Sequence, residues 1–264
     1  MVPTGPTAPR QQETVTLPPL SPNGWLRWSV VSRLLPAPDP ALQVLEVGCG
    51  QGGFAARLAR DYDYLGVEPD ATSCTVAKRR LAVAGGRGEV RNGDLATLRE
   101  NEAFDLVCAF EVIEHIEDDH AAMAEWAGRL RPGGSMLLST PAWQKRFGAA
   151  DEMVGHHRRY DPPVMRELLT GAGLVDVELV HFGAPLGYLL EAGRNAAGRR
   201  RLAAGATAAT KAERSDASGR TLQPTTSFAA SAARLGTLPF RGVQRLFPRT
   251  GPGLVARARK PRDT

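Results

Sequence analysis

Hydrophobic and polar positions along the 264-residue chain change period repeatedly, and the changes predict helices alternating with strands. Trp25, Leu26, Trp28, Val30, Val31, Leu34 and Leu35 approximate a helical stripe that stops at Pro36. Gln43-Val-Leu-Glu-Val47 is a short β-rich run, followed by a glycine-rich turn and by Phe54 to Arg60 at helical spacing. The order then returns, with Tyr64 to Val67 as a strand, Ala71 to Ala84 as a helix, Gly88 to Arg91 as a strand and Phe104 to Phe110 as a stronger one. His120 to Leu130 predicts a helix stopped by Arg131-Pro-Gly-Gly134, with Ser135 to Thr140 as the fifth strand. Pro162 and Pro163 open a helix through Thr170, and Leu174 to Val180 reads as the sixth strand. Gly253 to Ala258 alternates like an edge strand returning to the sheet. Strands alternating with helices imply parallel βαβ units and an α/β fold.

Composition divides the chain. Residues 1–22, with six prolines, read as a mobile N-terminal extension, and residues 23–190 as the α/β core. Residues 191–238 are an Ala/Arg-rich insertion expected to be partly disordered, and residues 239–264 a basic helix and the final strand. The net charge of +5 hides an asymmetry: residues 191–264 carry 15 Lys and Arg against 4 Asp and Glu, whereas the first 190 carry 18 against 24. A basic segment fits a solvated face, an acidic lipid surface or an anionic substrate. Phe240 to Phe247 has apolar and cationic sides, which suits shallow contact with an anionic membrane. The tail lacks the aromatics between basic residues that stacking on bases requires, which disfavours nucleic acid. No run is long and apolar enough to span a bilayer and Met1 to Arg10 does not resemble a secretion signal, so a cytoplasmic location is expected. Cys49, Cys74 and Cys108 form no CxxC pair and read as small buried hydrophobes.

The turn after the first strand holds the most specific chemistry. Gly48, Gly50 and Gly53 satisfy G-x-G-x-x-G, with Glu68 twenty residues beyond Gly48, as a nicotinamide-binding fold would have it. The same stretch reads as E-x-G-x-G-x-G through Glu46, Gly48, Gly50 and Gly52. A carboxylate in front of the glycines would repel a pyrophosphate but not the ammonium-bearing methionyl end of S-adenosylmethionine.

At this point the chain resembles the class I S-adenosylmethionine-dependent methyltransferases, and within them the ubiquinone-biosynthesis type of O-methyltransferase and its small-molecule relatives. The resemblance runs from about Trp25 to Leu174 and rests on five ordered blocks: Val44 to Gly52, Gly66-Val-Glu-Pro-Asp70, Gly93-Asp-Leu95, Phe104 to Val107 with Glu111-Val-Ile-Glu-His115, and Leu130-Arg-Pro-Gly-Gly134. It implies a Rossmann-like, seven-stranded, mostly parallel sheet with helices on both faces and an antiparallel last strand. It also implies S-adenosylmethionine as cofactor, with Glu46, Gly48, Gly50 and Gly52 at the turn and Glu68, followed by Pro69, on the ribose hydroxyls. Asp94 would take the adenine amino group with Leu95 beside the ring, and Phe110 and Glu111 would line the methionyl side.

Methyl transfer from a sulfonium is an in-line displacement, so the protein has to align the acceptor and, for a hydroxyl, remove its proton. His115, His156 and His157 are the candidate bases, because an unperturbed imidazole titrates at roughly pH 6.5. Gly155-His-His-Arg-Arg-Tyr-Asp161 follows the fifth strand and belongs either to the acceptor side or to a clamp in which Arg158 or Arg159 pairs with a core acid. No metal is expected, although the resemblance links Glu111, Glu114 and His115 to a divalent ion in ubiquinone-type relatives; acids at a helix start explain the same pattern. Trp25 and Trp28 either close over the cofactor or simply pack. The acceptor is expected to be a small molecule or a lipid-linked or glycan intermediate, methylated at oxygen. The rivals are a methyltransferase-like binding protein docking through its basic segment and a nicotinamide-dependent oxidoreductase. Oligomeric state has no signal in the sequence.

Overall fold

A computed structural model describes residues 17–204 and 226–263. Seven strands form one sheet: β1 (Gln43–Val47), β2 (Asp63–Glu68), β3 (Gly88–Asn92), β4 (Phe104–Phe110), β5 (Leu130–Pro141), β6 (Val175–Phe182) and β7 (Gly253–Arg259). Their order is β3-β2-β1-β4-β5-β7-β6. The first five are parallel neighbours, and β7 runs antiparallel to both β5 and β6.

Helices cover both faces. On one side α1 (Pro22–Leu34), α2 (Ala55–Asp61) and α3 (Ala71–Val83) bury Leu26, Val31, Leu58 and Ala77 against Val44, Tyr64 and Val255. On the other, α4 (Asp119–Gly128) and α6 (Pro162–Gly171) bury Met123, Trp126, Met165 and Leu168 against Leu45, Val67 and Leu254. Adjacent strand residues thus serve opposite layers, as the pleat requires. Side chains set the helix starts: Ser21, Asp70 and Asp118 accept the backbone N–H of Gly24, Ser73 and Ala121. Cys49, Cys74 and Cys108 are free and buried.

Four expectations need correction. The N-terminal extension does not run to residue 22: α1 starts at Pro22, Leu20 is buried, and Arg57 holds the Pro18 carbonyl at 2.9 Å. Residues 1–16 lie outside the described residues. Strand β5 begins at Leu130 rather than Ser135, because a register irregularity between Phe104 and Leu106 absorbs the Pro-Gly-Gly step. Strand β7 is interior, not an edge. Its arginines mimic an exposed rim, yet Arg257 reaches the Leu34 carbonyl, and Leu254, Val255, Ala256 and Ala258 are buried.

The segment expected to be partly disordered from residue 191 is helical to Ala203, as α7 (Leu186–Ala203). Polar packing against α5 (Ala149–Val154) holds it. Asn195 accepts from Ala150 N at 3.0 Å, and a Cβ at Gly198 would stand 2.9 Å from the Ala149 backbone. Residues 205–225 of that expected insertion lie outside the described residues. Two further helices, α8 (Ser227–Gly236) and α9 (Leu238–Leu246), lead into β7.

Candidate active site

The parallel strands deliver their C-terminal ends to one edge of the sheet, and the glycine turn follows β1 there. Gly50 and Gly52 have φ of +54° and +77°, a region costly to side chains. A Cβ at Gly52 would lie 2.9 Å from Ala77 Cα, and one at Gly48 2.7 Å from Val112, so these two glycines permit packing beneath the turn. A Cβ at Gly50 meets nothing within 4 Å, which leaves its backbone open to a ligand.

Glu68 ends β2 beside this turn. Its Oε2 accepts Gly50 N at 2.7 Å and its Oε1 accepts Asp70 N at 2.9 Å, while burial raises its pKa. Asn92 donates to the carbonyls of Glu68 and Pro69, tying β3 to the same rim. Asp94 is exposed and caps Ala96 N, whereas Leu95 turns into the core.

At the end of β4, Phe110 packs edge-on to Phe54 with centroids 4.9 Å apart. Glu111 adopts φ +60°, a conformation that costs roughly 1–3 kcal/mol outside glycine and persists only where its surroundings fix it. Here Arg27 of α1 pairs with its Oε1 at 3.0 Å and Ser139 donates to the same atom at 3.2 Å.

Glu46 changes meaning. It is buried, Tyr64 donates to it at 2.6 Å, and burial pushes its pKa up to about 8. Near neutrality it is mostly protonated, so the carboxylate charge that separated two cofactors in the sequence is not supplied by this residue. Glu68 and Glu111 are the acids that face the turn and the end of β4.

The three histidines differ sharply. Burial, then the neighbouring His156, lowers the His115 pKa to about 4, so it is a neutral imidazole over the working range. His157 is exposed and is tied by its main-chain N–H to the Glu114 carbonyl. His156 is held: its Nδ1 lies 2.8 Å from Asp151 Oδ1, and its Nε2 is 3.9 Å from Glu114 Oε1. Burial would raise the Asp151 pKa, but hydrogen bonds from His156 and Arg159 outweigh it and keep the carboxylate at about 2. Opposite an ionised Asp151, Nδ1 carries the proton, so in the neutral ring Nε2 is the acceptor.

The rest of that stretch is a clamp. Arg159, buried, pairs with Asp151 at 2.7 Å and Glu191 of α7 at 3.1 Å, and Glu191 also binds Arg146 at 3.0 Å. Arg158 pairs with Asp119 at 2.8 Å, and Tyr160 donates to the same carboxylate at 2.7 Å. Glu111, Glu114 and His115 do not assemble as ligands, because Glu111 is committed to Arg27. Glu114, His115 and His156 do gather, each offering one atom within 4.8 Å of the others. Burial and Glu111 push the Glu114 pKa well up.

Sequence reasoning missed Arg27, Asp151 and Glu191. Arg27 sits between tryptophans with no spacing signal, and Glu191 lies in a segment without apolar periodicity. Asp151, five residues before His156, was the findable one, as one of the two acids, with Glu152, just upstream of a histidine pair. A hollow lined by Gln43, Gly88, Glu89 and Arg131 lies at the strands' N-terminal ends, opposite the turn, and contains none of these groups.

With a glycine turn after β1, an acid ending β2 and this sheet order in hand, comparison with known proteins is decisive. The profile of the family described as methyltransferase domain matches residues 26–179. The chain belongs to that family. The S-adenosylmethionine cofactor expected from the sequence accords with this membership, and a nicotinamide oxidoreductase does not. Among curated relatives, the ubiquinone biosynthesis O-methyltransferase of Azorhizobium caulinodans is 35% identical over 105 residues, covering 39% of this chain and 42% of the relative. A probable S-adenosylmethionine-dependent methyltransferase of Mycolicibacterium smegmatis is 35% identical over 173 residues, covering 63% of this chain and 66% of the relative. The matched region therefore spans less than two thirds of either relative. In fold, the chain is similar to Haemonchus contortus phosphoethanolamine N-methyltransferase 2 in complex with S-adenosyl-L-methionine. That likeness has a TM-score of 0.57 at 18% identity and covers 92% of this chain and 54% of the other.

Proposed function

We propose that this chain transfers the methyl group of S-adenosylmethionine to a hydroxyl of a small or lipid-linked acceptor, with His156 as the base. The observation that carries this reading is the Asp151–His156 pair, which fixes one imidazole tautomer beside the end of the sheet where the glycine turn opens. The O-methyltransferase name of one relative agrees with transfer to oxygen.

The cofactor would lie over Gly48, Gly50 and Gly52, with Glu68 accepting from the ribose hydroxyls and Pro69 at its side. Asp94 takes the adenine amino group, next to Leu95, and Phe110 and Glu111 border the methionyl chain. Bound there, the cofactor would supply a sulfonium-activated methyl group, with the neutral thioether as its leaving group. A hydroxyl placed in line would give its proton to His156 Nε2. His115, neutral and edge-on to His156 at 4.6 Å, packs the base in place. His157 is the exposed alternative. Labelled cofactor with cell extract, fractionated into organic, small polar and macromolecular pools, tests the acceptor class. His156→Ala should abolish incorporation, and unchanged incorporation would remove the base from this residue.

A lipid-linked acceptor is favoured by the outer helices. In α9 the buried positions are polar: Gln244 donates to the Leu26 carbonyl and the Ser29 hydroxyl and accepts from Gly183 N. Phe240 packs against the core, but other apolar residues there face out. Leu246 is 74% exposed, Phe247 56% and Leu235, on α8, 62%. Apolar exposure among arginines suits the surface of an anionic bilayer. No helix among the described residues is long and apolar enough to cross one. Sedimentation with anionic vesicles should retain the wild-type chain and lose a Leu246→Glu/Phe247→Glu variant; equal behaviour would remove the membrane from this reading. Truncation would not serve, because β7 follows.

A further inference from the structure

Trp25 of α1 is the hub of a cationic cluster apart from the Asp151–His156 pair. The guanidinium carbons of Arg57, Arg241 and Arg234 lie 5.1, 5.2 and 5.7 Å from its ring. Arg57 is only 6% exposed and gives its Nη atoms to the carbonyls of Gly53 and Pro18. Among the described residues no carboxylate stands within ion-pair distance of any of the three.

A buried charge such as Arg57 is ordinarily paired. Here it meets like charge instead, from the exposed Arg234 and the half-buried Arg241: burial, then Arg234 and Arg60, lowers the Arg57 pKa to about 10, and burial, Arg234 and Arg245 lower that of Arg241. Two donors in the cluster, Trp25 Nε1 and Arg241 Nε, are buried without a hydrogen-bond partner. Unmatched donors and unmatched positive charge in one place call for the same missing group, an anion with several acceptor oxygens. Three guanidiniums and an indole N–H exceed what one carboxylate can accept or neutralise, whereas a phosphate brings up to two charges and three strong acceptors.

We propose that Trp25, Arg57, Arg234 and Arg241 form a phosphate-binding site. A series of three aromatic rings joins the site to the end of β4: Arg57 also lies over Trp28 at 5.8 Å, Trp28 meets Phe54 at 4.8 Å, and Phe54 meets Phe110 at 4.9 Å. Its role as anchor for a phosphate-bearing acceptor rests on the methyltransferase reading; the binding of phosphate does not. The same chemistry is offered by a soluble phosphoryl compound and by a lipid headgroup.

The test uses the full chain saturated with S-adenosylhomocysteine, which keeps the cofactor's own carboxylate out of the measurement. Inorganic pyrophosphate is titrated calorimetrically, and phosphatidylcholine vesicles with and without phosphatidic acid are sedimented. The variants are Arg234→Gln/Arg241→Gln and, as a control of equal charge, Arg199→Gln/Arg200→Gln on the exposed side of α7. Pyrophosphate affinity should fall about tenfold or more in the first pair only, as loss of charge-assisted hydrogen bonds would give. Vesicle retention that depends on phosphatidic acid and is lost in the same pair identifies a lipid source; a pyrophosphate effect alone identifies a soluble one. No binding in either arm, or an equal loss in the control, overturns the site. Failure to bind S-adenosylhomocysteine would instead strike the methyltransferase reading.

Discussion

Asp151→Asn separates the two duties assigned to one carboxylate. Asp151 accepts from Arg159 at 2.7 Å, from His156 at 2.8 Å and from Gly148 N at 2.8 Å. Breaking a buried pair costs about 3–5 kcal/mol, and because Glu191 stays on Arg159 the lower end, about 3 kcal/mol, applies. The depressed pKa gives the same scale, since the fall from 3.8 to about 2 corresponds to roughly 2–3 kcal/mol at about 1.4 kcal/mol per pH unit. For a chain of this size that is a drop in melting temperature of about 6–12 °C. The sign follows from the depressed folded-state pKa. The contribution is complete above the unfolded value of 3.8 and is lost as pH falls towards 2, so the wild type should show an acid-dependent slope there that the variant lacks. The catalytic duty has a separate readout. An asparagine amide facing Nδ1 favours the tautomer with the proton on Nε2, which removes the base and lowers kcat about 100-fold or more with S-adenosylhomocysteine binding intact. Thermal melts across the acid range and steady-state kinetics give both numbers. A variant melting within about 2 °C of wild type with kcat unchanged would refute the dual assignment.

Further outcomes follow from the same geometry. Glu46→Gln should stabilise the cofactor-free chain increasingly as pH rises from 4.5 to 8, because a carboxyl with a raised folded-state pKa loses stability over that window; a flat difference in denaturant midpoint would contradict it. Gly50→Ala, facing open space, should leave the melting temperature within a few degrees but weaken cofactor binding. Gly52→Ala, 2.9 Å from Ala77 Cα, should cost about 1–3 kcal/mol in urea unfolding. Arg27→Ala should raise KM for the cofactor by freeing Glu111 from its strained conformation, and an unchanged KM would show that α1 holds Glu111 in no way that matters. Gln244→Leu should increase hydrogen exchange in α9 while β7 stays protected, since three hydrogen bonds anchor that helix to α1 and the Gly183 turn.

Apolar patterning carried β1 to β4 and α2, α3 and α6 almost residue for residue, because β1, β2 and β4 are near-continuous buried runs and α3 and α6 bury one stripe each. It failed where other forces decide. Helix α7 is fastened by Glu191 and Asn195 to α5, and polar anchors leave no period to read. Strand β7 alternates apolar residues with arginines, of which Arg257 reaches the Leu34 carbonyl and Glu178, so an interior strand looked like an edge. The glycine turn and the acid beside it were legible because Glu68, which accepts from Gly50 N, stands at a fixed offset from the turn in the sequence. Glu46 was legible in position but not in charge, since burial raises its pKa against the lowering effect of the Tyr64 hydroxyl. Arg27 and Asp151 act across 84 and 5 residues on Glu111 and His156, and the longer of these contacts exists only once the sheet has formed.

Calorimetric titration of S-adenosylhomocysteine into the wild-type chain and a Glu68→Gln variant decides whether the cofactor sits at the glycine turn. Binding to the wild type should be tight and saturable, and lost or much weakened in the variant while its melting temperature stays near that of the wild type. No heat of binding to a folded wild-type chain, or equal affinity in the two, would contradict the placement of the cofactor at the turn between Glu46 and Gly52.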